Sequence, residues 1–285
     1  MQRIAIERKG GLSAAEFVRD HVHGVGRPVI LTDAIQSWPA RSKWTFDWLR
    51  DRFGRDHATA QMGLFSGAAK LTTLGTYIDH VDAPDGMPGI WLNKKDGTPL
   101  GEAPPAASSP LYLLGWNAFG RHPELFDDME PLPACIPDDT AALDAETRAA
   151  IEGESGREYW SLYLGPVNSL SHLHQDFWHT HAYLAQIAGR KRAMLFAPGD
   201  TAHLYQGRVD PETPDLARYP RFVDATMYEG EFGPGELLFI PADWWHHVRG
   251  LETTITVSHN FFSDANRVRH LAHLSAALRA RVEPA

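Results

Sequence analysis

The stretch SLSHLHQDFWHTHAYLAQIAGRKR, Ser169 to Arg192, packs His172, His174, Asp176, His179 and His181 into ten residues, and an apolar run follows. In a β-strand, residues two apart point to the same face, so His174 and Asp176 present an imidazole and a carboxylate together. These are two of the three donors of a two-histidine, one-carboxylate triad, which leaves open positions on a non-haem Fe(II). The third donor must come from a strand distant in sequence. GPGELLFIPADWWHHVRG supplies it: an apolar run ends at Pro241 and delivers His246 and His247 a few residues later.

Working outward, the chain after Pro110 is a series of short apolar or alternating runs separated by turn residues: LYLLGW, YWSLYLG, HAYLAQIAG, RKRAMLFAP, GELLFIP and TTITVSHNFF. Such a series predicts a β-sandwich or barrel. In the run after Gly189, alternation puts Lys191, Ala193 and Leu195 on one face and Arg190 and Arg192 on the other. If the Lys191 face points into the barrel, the amine needs an anion there, because a buried unpaired charge is costly. In TTITVSHNFF, Thr254, Thr256, Ser258 and Asn260 form a polar stripe opposite Ile255, Val257 and Phe261. On an open sheet this stripe faces water; inside a barrel it supplies hydrogen bonds to a polar ligand.

Before Pro110, LSAAEFVRDHV reads as a short helix capped by Ser13, and GRPVILTD as the strand after it. TFDWLRDRFG is an amphipathic helix with Phe46, Leu49 and Phe53 on one face and Gly54 as its stop. The segment Asn93 to Pro110, rich in Gly, Pro, Ala and Ser, predicts a surface loop. The tail from Ala265 to Val282 places Val268, Leu271, Leu274, Ala277 and Leu278 at helical spacing, which calls for a partner surface: its own core, or a second subunit in a homodimer. The organisation expected is therefore an N-terminal helix and strand segment, 1–110, packing on a β core, 111–262, with a C-terminal helix, 263–285.

The 285 residues carry 27 basic and 36 acidic side chains, a net charge of -9, so nothing draws the chain to nucleic acid or anionic lipid in general. The single cysteine, Cys135, excludes an internal disulfide and a multi-cysteine metal site, and suits a reducing compartment. No apolar run approaches the roughly 20 residues of a membrane helix, and the first residues hold no signal-type apolar stretch. A cytoplasmic protein is expected.

The order of His174-x-Asp176, Gly-Arg-Lys191-Arg, Leu-Phe-x-Pro198, GPGELLFIP ending at Pro241, Trp-Trp-His246 and Asn260-Phe resembles the JmjC-type, cupin-like oxygenases. Within them it is similar to the bacterial cupin-like group related to the asparaginyl hydroxylase that acts on hypoxia-inducible factor and to the wybutosine hydroxylase. RPVILTDAIQSWPA followed by WTFDWLRDRFG matches the entry segment of that group, so the resemblance covers most of the chain. It implies a mainly β protein with flanking helices, a double-stranded β-helix (jelly-roll), that binds Fe(II), 2-oxoglutarate and O2.

Carried over to this sequence, the resemblance implies His174, Asp176 and His246 as iron ligands, with His246 preferred to His247 because the family's distal histidine directly follows the aromatic pair. It implies Lys191 on the distal carboxylate of 2-oxoglutarate. Ser171 stands where the family has a hydroxyl, Tyr112 where relatives use a tyrosine on the same carboxylate, and Asn260 where they place an asparagine near the metal. One departure is Ala182, where many relatives carry a cosubstrate-binding asparagine; Thr180 or His181 are the candidates to replace it. His172 takes the place of a family proline, and His179 is a further candidate for the pocket lining. Trp178, Trp244, Trp245 and the loop Asn93 to Pro110 are candidates for the outer pocket. The activity implied is hydroxylation of an unactivated C–H on an amino-acid side chain in a peptide, protein or free amino acid, with release of succinate and CO2. The alternatives with the same cofactors are a modified-nucleoside hydroxylase and an N-demethylase. A metal-binding cupin without 2-oxoglutarate chemistry and a non-catalytic binding protein are two more, and Lys191 and Asn260 argue against the first of them.

Overall fold

A computed structural model of the chain describes residues 1–62, 67–83, 86–101, 110–144, 146–148, 151–152 and 159–282. Its frame is a pair of facing sheets. One has five strands, in the order Gln2–Ala5 (β1), Thr226–Phe232 (β12), Lys191–Phe196 (β11), Trp245–Gly250 (β14) and Leu170–His174 (β9). The other has ten: Glu7–Lys9 (β2), Val29–Leu31 (β3), Leu237–Ile240 (β13), His181–Ala188 (β10), Thr254–Phe261 (β15), Trp160–Gly165 (β8), Tyr112–Gly115 (β7), His57–Gln61 (β4), Ala68–Thr73 (β5) and Ile90–Asn93 (β6). The eight strands β8 to β15 divide between the sheets, pairing as β12-β11-β14-β9 and β13-β10-β15-β8, antiparallel throughout. This is the double-stranded β-helix that the resemblance implies.

Alternation sorts the side chains of these strands into three layers. Ala182 and Leu184 of β10, Ala193 and Leu195 of β11, Leu238 and Ile240 of β13 and Val248 of β14 meet between the sheets and close one end of the barrel. The opposite faces of β10 and β15, with Tyr183, Ala185, Ile255, Val257 and Phe261, pack under the helices in the largest core. The outer face of the five-stranded sheet, with Met194, Phe196, Met227 and Trp245, is covered by Leu204, Val209 and Phe222 from the long connection between β11 and β12. Each Leu, Ile or Phe removed from water in these layers is worth roughly 1.5–3 kcal/mol.

The segment 1–110 goes beyond packing on the core, since it extends both sheets. β1 runs parallel to β12, β3 runs antiparallel to β13, and β4 to β6 continue the large sheet past β7. Ser13 caps the helix Ala14–Phe17 (α1) in a capping box with Glu16. After the short helix Ala40–Lys43 (α2), Phe46–Phe53 (α3) is capped by Thr45 and buries Leu49 and Phe53. Gly54 ends α3, as read from the sequence, and does so at φ -58, in the right-handed region. At the crossing with Leu74–Asp79 (α4) it is Gly75 that must lack a side chain: its N–H donates to Gly54 O at 2.9 Å, and a Cβ there would lie 3.0 Å from that oxygen. The remaining named helices are Ala118–Arg121 (α5) and the terminal Arg267–Val282 (α6). Among the described residues no helix is long and apolar enough to cross a membrane.

Candidate active site

The sheets enclose a cavity of about 850 Å³ at the end of the barrel that is not filled by apolar side chains. His174 ends β9 and His246 lies near the start of β14, and strand register sets them opposite each other with ring centroids 4.0 Å apart. Asp176 follows two residues after β9, at the entrance to a short turn, Phe177–His179. Its Oδ1 lies 3.7 Å from Nε2 of His174 and 3.7 Å from Nε2 of His246.

The other nitrogen of each imidazole is committed elsewhere. Nδ1 of His174 is 2.6 Å from the His172 carbonyl, and Nδ1 of His246 is 3.1 Å from the Trp244 carbonyl. A carbonyl only accepts, so each Nδ1 donates to it, and each Nε2, on the side of Asp176, is the atom available to a metal. Burial holds the His174 imidazole well below its ordinary pKa, which keeps it neutral. The free Oδ2 of Asp176 accepts from Asn260 Nδ2 at 3.0 Å, and the same amide donates to the Thr180 hydroxyl at 3.1 Å. Two imidazoles and one oriented carboxylate, gathered within 4.8 Å, fit a divalent metal with positions left open toward the cavity.

Lys191, the first residue of β11, reaches into the same cavity at 3% exposure. Its Nζ donates to the Tyr112 hydroxyl at 2.8 Å, and among the described residues no carboxylate pairs with it. Burial pushes its amine down to about 7 and the Tyr112 phenol well above its ordinary pKa. A cavity with an amine and a phenol at one wall and a metal-type triad at the other is suited to a dianion that bridges them. Ser171 lines the cavity beside them. Thus His174, Asp176, His246, Lys191, Tyr112, Ser171, Thr180 and Asn260 surround one space.

Other expected residues lie elsewhere. His181 faces away from the cavity: Nδ1 accepts from the Ala242 N–H at 2.9 Å, and the ring packs between Phe239 and Phe261. The assignment to cosubstrate is corrected for this residue, because alternation in β10 turns Thr180, Ala182 and Leu184 inward and His181 outward. His179 leaves the pocket as well, held on Asp243 at 2.6 Å. Trp244 and Trp245 are packing residues whose indole N–H groups bond Val25 O and Thr201 Oγ1, whereas Trp178 does line the cavity. Within the loop Asn93 to Pro110, Lys94 reaches the cavity wall and hydrogen-bonds Gln61; residues 102–109 lie outside the described residues.

Sequence reading missed Ser161 and Tyr163 of β8 and Thr59 and Gln61 of β4, which form the wall opposite the triad. The signal was present in the alternation of YWSLYLG and HATAQ, where small polar or aromatic residues share one face and apolar residues the other.

The profile of the cupin-like domain family matches residues 14–267. The chain is 30% identical over 256 residues to a lysine-specific demethylase 8 of Xenopus tropicalis, covering 85% of this chain and 50% of that protein. It is 26% identical over 267 residues to the lysine-specific demethylase JMJ30 of Arabidopsis thaliana, covering 89% and 54%. It is also 25% identical over 288 residues to the arginine-specific demethylase JMJ20 of the same plant, covering 92% and 58%. The chain spans about half the length of these relatives. The match over nearly the whole double-stranded β-helix and the segments that extend it places the chain in the cupin-like domain family, with JmjC-type relatives.

Proposed function

We propose that this chain is a dioxygenase that inserts oxygen into a C–H bond of an amino-acid side chain in a peptide, protein or free amino acid. In this reading His174, Asp176 and His246 hold Fe(II), and Lys191 with Tyr112 receives the distal carboxylate of 2-oxoglutarate. The observation that carries it is the buried Lys191 amine in the same cavity as the triad, which a metal cupin without an anionic cosubstrate has no reason to contain. When bound, iron couples decarboxylation of 2-oxoglutarate by O2, giving succinate and CO2, to transfer of one oxygen atom to the substrate.

The protein's own residues do the positioning. Asn260 fixes the rotamer of Asp176 through Oδ2, which leaves Oδ1 toward the histidines. The His172 and Trp244 carbonyls fix the imidazole tautomers. The apolar end of the barrel, with Leu184, Ile240 and Val248, limits water at the inner wall.

The names of the relatives favour a second outcome, N-demethylation of a lysine or arginine, which is the same hydroxylation next to nitrogen. Anaerobic addition of Fe(II) and 2-oxoglutarate should give a visible metal-to-ligand charge-transfer band, and Lys191→Ala should lose 2-oxoglutarate turnover while keeping its metal content. With oxygen and candidate peptides, products that gain one oxygen identify hydroxylation, and loss of a methyl with formaldehyde identifies demethylation. A missing band at saturating concentrations, or undiminished turnover by Lys191→Ala, refutes the assignment.

A further inference from the structure

On the face of β14 turned away from the cavity, a second group of ligating side chains gathers. His247 is 2% exposed, and among the described residues neither of its ring nitrogens has a hydrogen-bond partner. Its Nε2 points at Glu212, whose Oε2 lies 3.6 Å away. One ligand atom from each of Asp210, Glu212 and His247 falls within 4.8 Å of the others. A buried imidazole left without partners is destabilising, so its setting calls for a ligand.

The two carboxylates are held in place. Asp210 accepts from the Glu212 N–H at 2.9 Å and from the Thr213 hydroxyl at 2.7 Å. Glu212 receives Arg249 Nε at 2.9 and 2.8 Å and is gripped by the same guanidinium through a second nitrogen. Asp210 and Glu212 set two negative charges against one positive charge on Arg249, leaving a surplus that a cation would neutralise. His172 of β9, unassigned by the active site, stands in the electrostatic field of Asp210 and Arg249.

We propose that Asp210, Glu212 and His247 bind a first-row divalent cation of the Zn2+ type, distinct from the catalytic metal. One imidazole and two carboxylates with a fourth position open to water suit zinc, whereas Ca2+ and Mg2+ favour oxygen-only shells. Asp210 and Glu212 belong to the connection that covers the outer face of the five-stranded sheet, and His247 adjoins His246. The cation would therefore pin that connection to the strand carrying a ligand of the first site.

Metal-free full-length chain should bind two equivalents of Zn2+ by mass spectrometric metal analysis after equilibrium dialysis. A His174→Ala/Asp176→Ala variant should bind one. Adding Glu212→Gln or His247→Gln to that variant should weaken the remaining site at least tenfold. Asp210→Asn, at an exposed position, should do so without risk to folding, which circular dichroism checks for each variant. If the double variant binds no Zn2+, or binds it equally with Asp210→Asn added, an ordered water satisfies His247 and the proposal is overturned.

Discussion

Lys191 is the residue from which the most chemistry follows. With its amine lowered to about 7, a folded chain without ligand carries a roughly half-neutral lysine near neutral pH. A dicarboxylate favours the ammonium and raises that pKa. The sign is then fixed: below 7 the amine is already charged and binding takes up no proton, whereas above 7 binding must bring one in. Affinity for 2-oxoglutarate should fall as pH rises through 7, by up to about tenfold per unit. Calorimetry at pH 8 in two buffers of different ionisation enthalpy should report an uptake approaching one proton per 2-oxoglutarate. Zero uptake at that pH would show that Lys191 is fully charged before the ligand arrives. That Lys191 faces the interior was legible only through the resemblance, since alternation separates Lys191 from Arg190 and Arg192 without saying which face points inward. The choice between Thr180 and His181 was not legible. Trp178 and His179 have φ 66 and 57, and two left-handed residues in succession reset the phase of alternation before β10 begins. No side-chain pattern announces that reset.

At the scale of the element, α6 differs from its reading as an apolar stripe. Val268 is 80% exposed and Leu271 45%, while Asn266, His270 and Leu274, spaced four apart, form the docking face. Ala277 and Leu278 lie outside the described side chains. His270 is fully buried, joins the Tyr159 hydroxyl at 2.8 Å and the Trp178 carbonyl at 2.9 Å, and stacks on Phe262. Asn266 donates to the His179 carbonyl at 2.7 Å. The helix therefore braces the turn that follows Asp176. A polar docking face escapes a search for hydrophobic periodicity, because its stability rests on matched hydrogen bonds. His270→Ala strands two partners and should cost about 2 kcal/mol or more in urea unfolding. Leu271→Ser, by contrast, should stay within about 0.5 kcal/mol. Equal losses in the two variants would place the docking face on the apolar stripe after all.

At the scale of the whole molecule, the two larger apolar layers lie outside the sheets that enclose the triad, so the fold should persist without metal. Chelation should leave the far-ultraviolet circular dichroism spectrum unchanged and lower Tm by several degrees. A ligand at a hundredfold excess over Kd contributes about 2.7 kcal/mol, and large domains shift only a few degrees per kcal/mol. Loss of cooperative unfolding in the chelated protein would contradict this separation. The β core was legible from its six short runs, but of the polar stripe only Ser258 and Asn260 line the cavity, whereas Thr256 and Thr254 bond Gln186 and the Gly165 carbonyl. The weaving of residues 1–110 into both sheets was hidden, because pairing between strands more than a hundred residues apart leaves no local mark.

His174, His246 and Lys191 stand on β9, β14 and β11, three adjacent strands of the smaller sheet, whereas Thr59, Gln61, Ser161 and Tyr163 face them from the larger one. The spacing of His174 and His246 is thus set by register within one hydrogen-bonded ladder, whereas Lys191 and Asp176 are held from the larger sheet by Tyr112 and Asn260. Substitutions at Thr59, Gln61 or Ser161 should therefore change which molecules the cavity admits while leaving that histidine spacing in place.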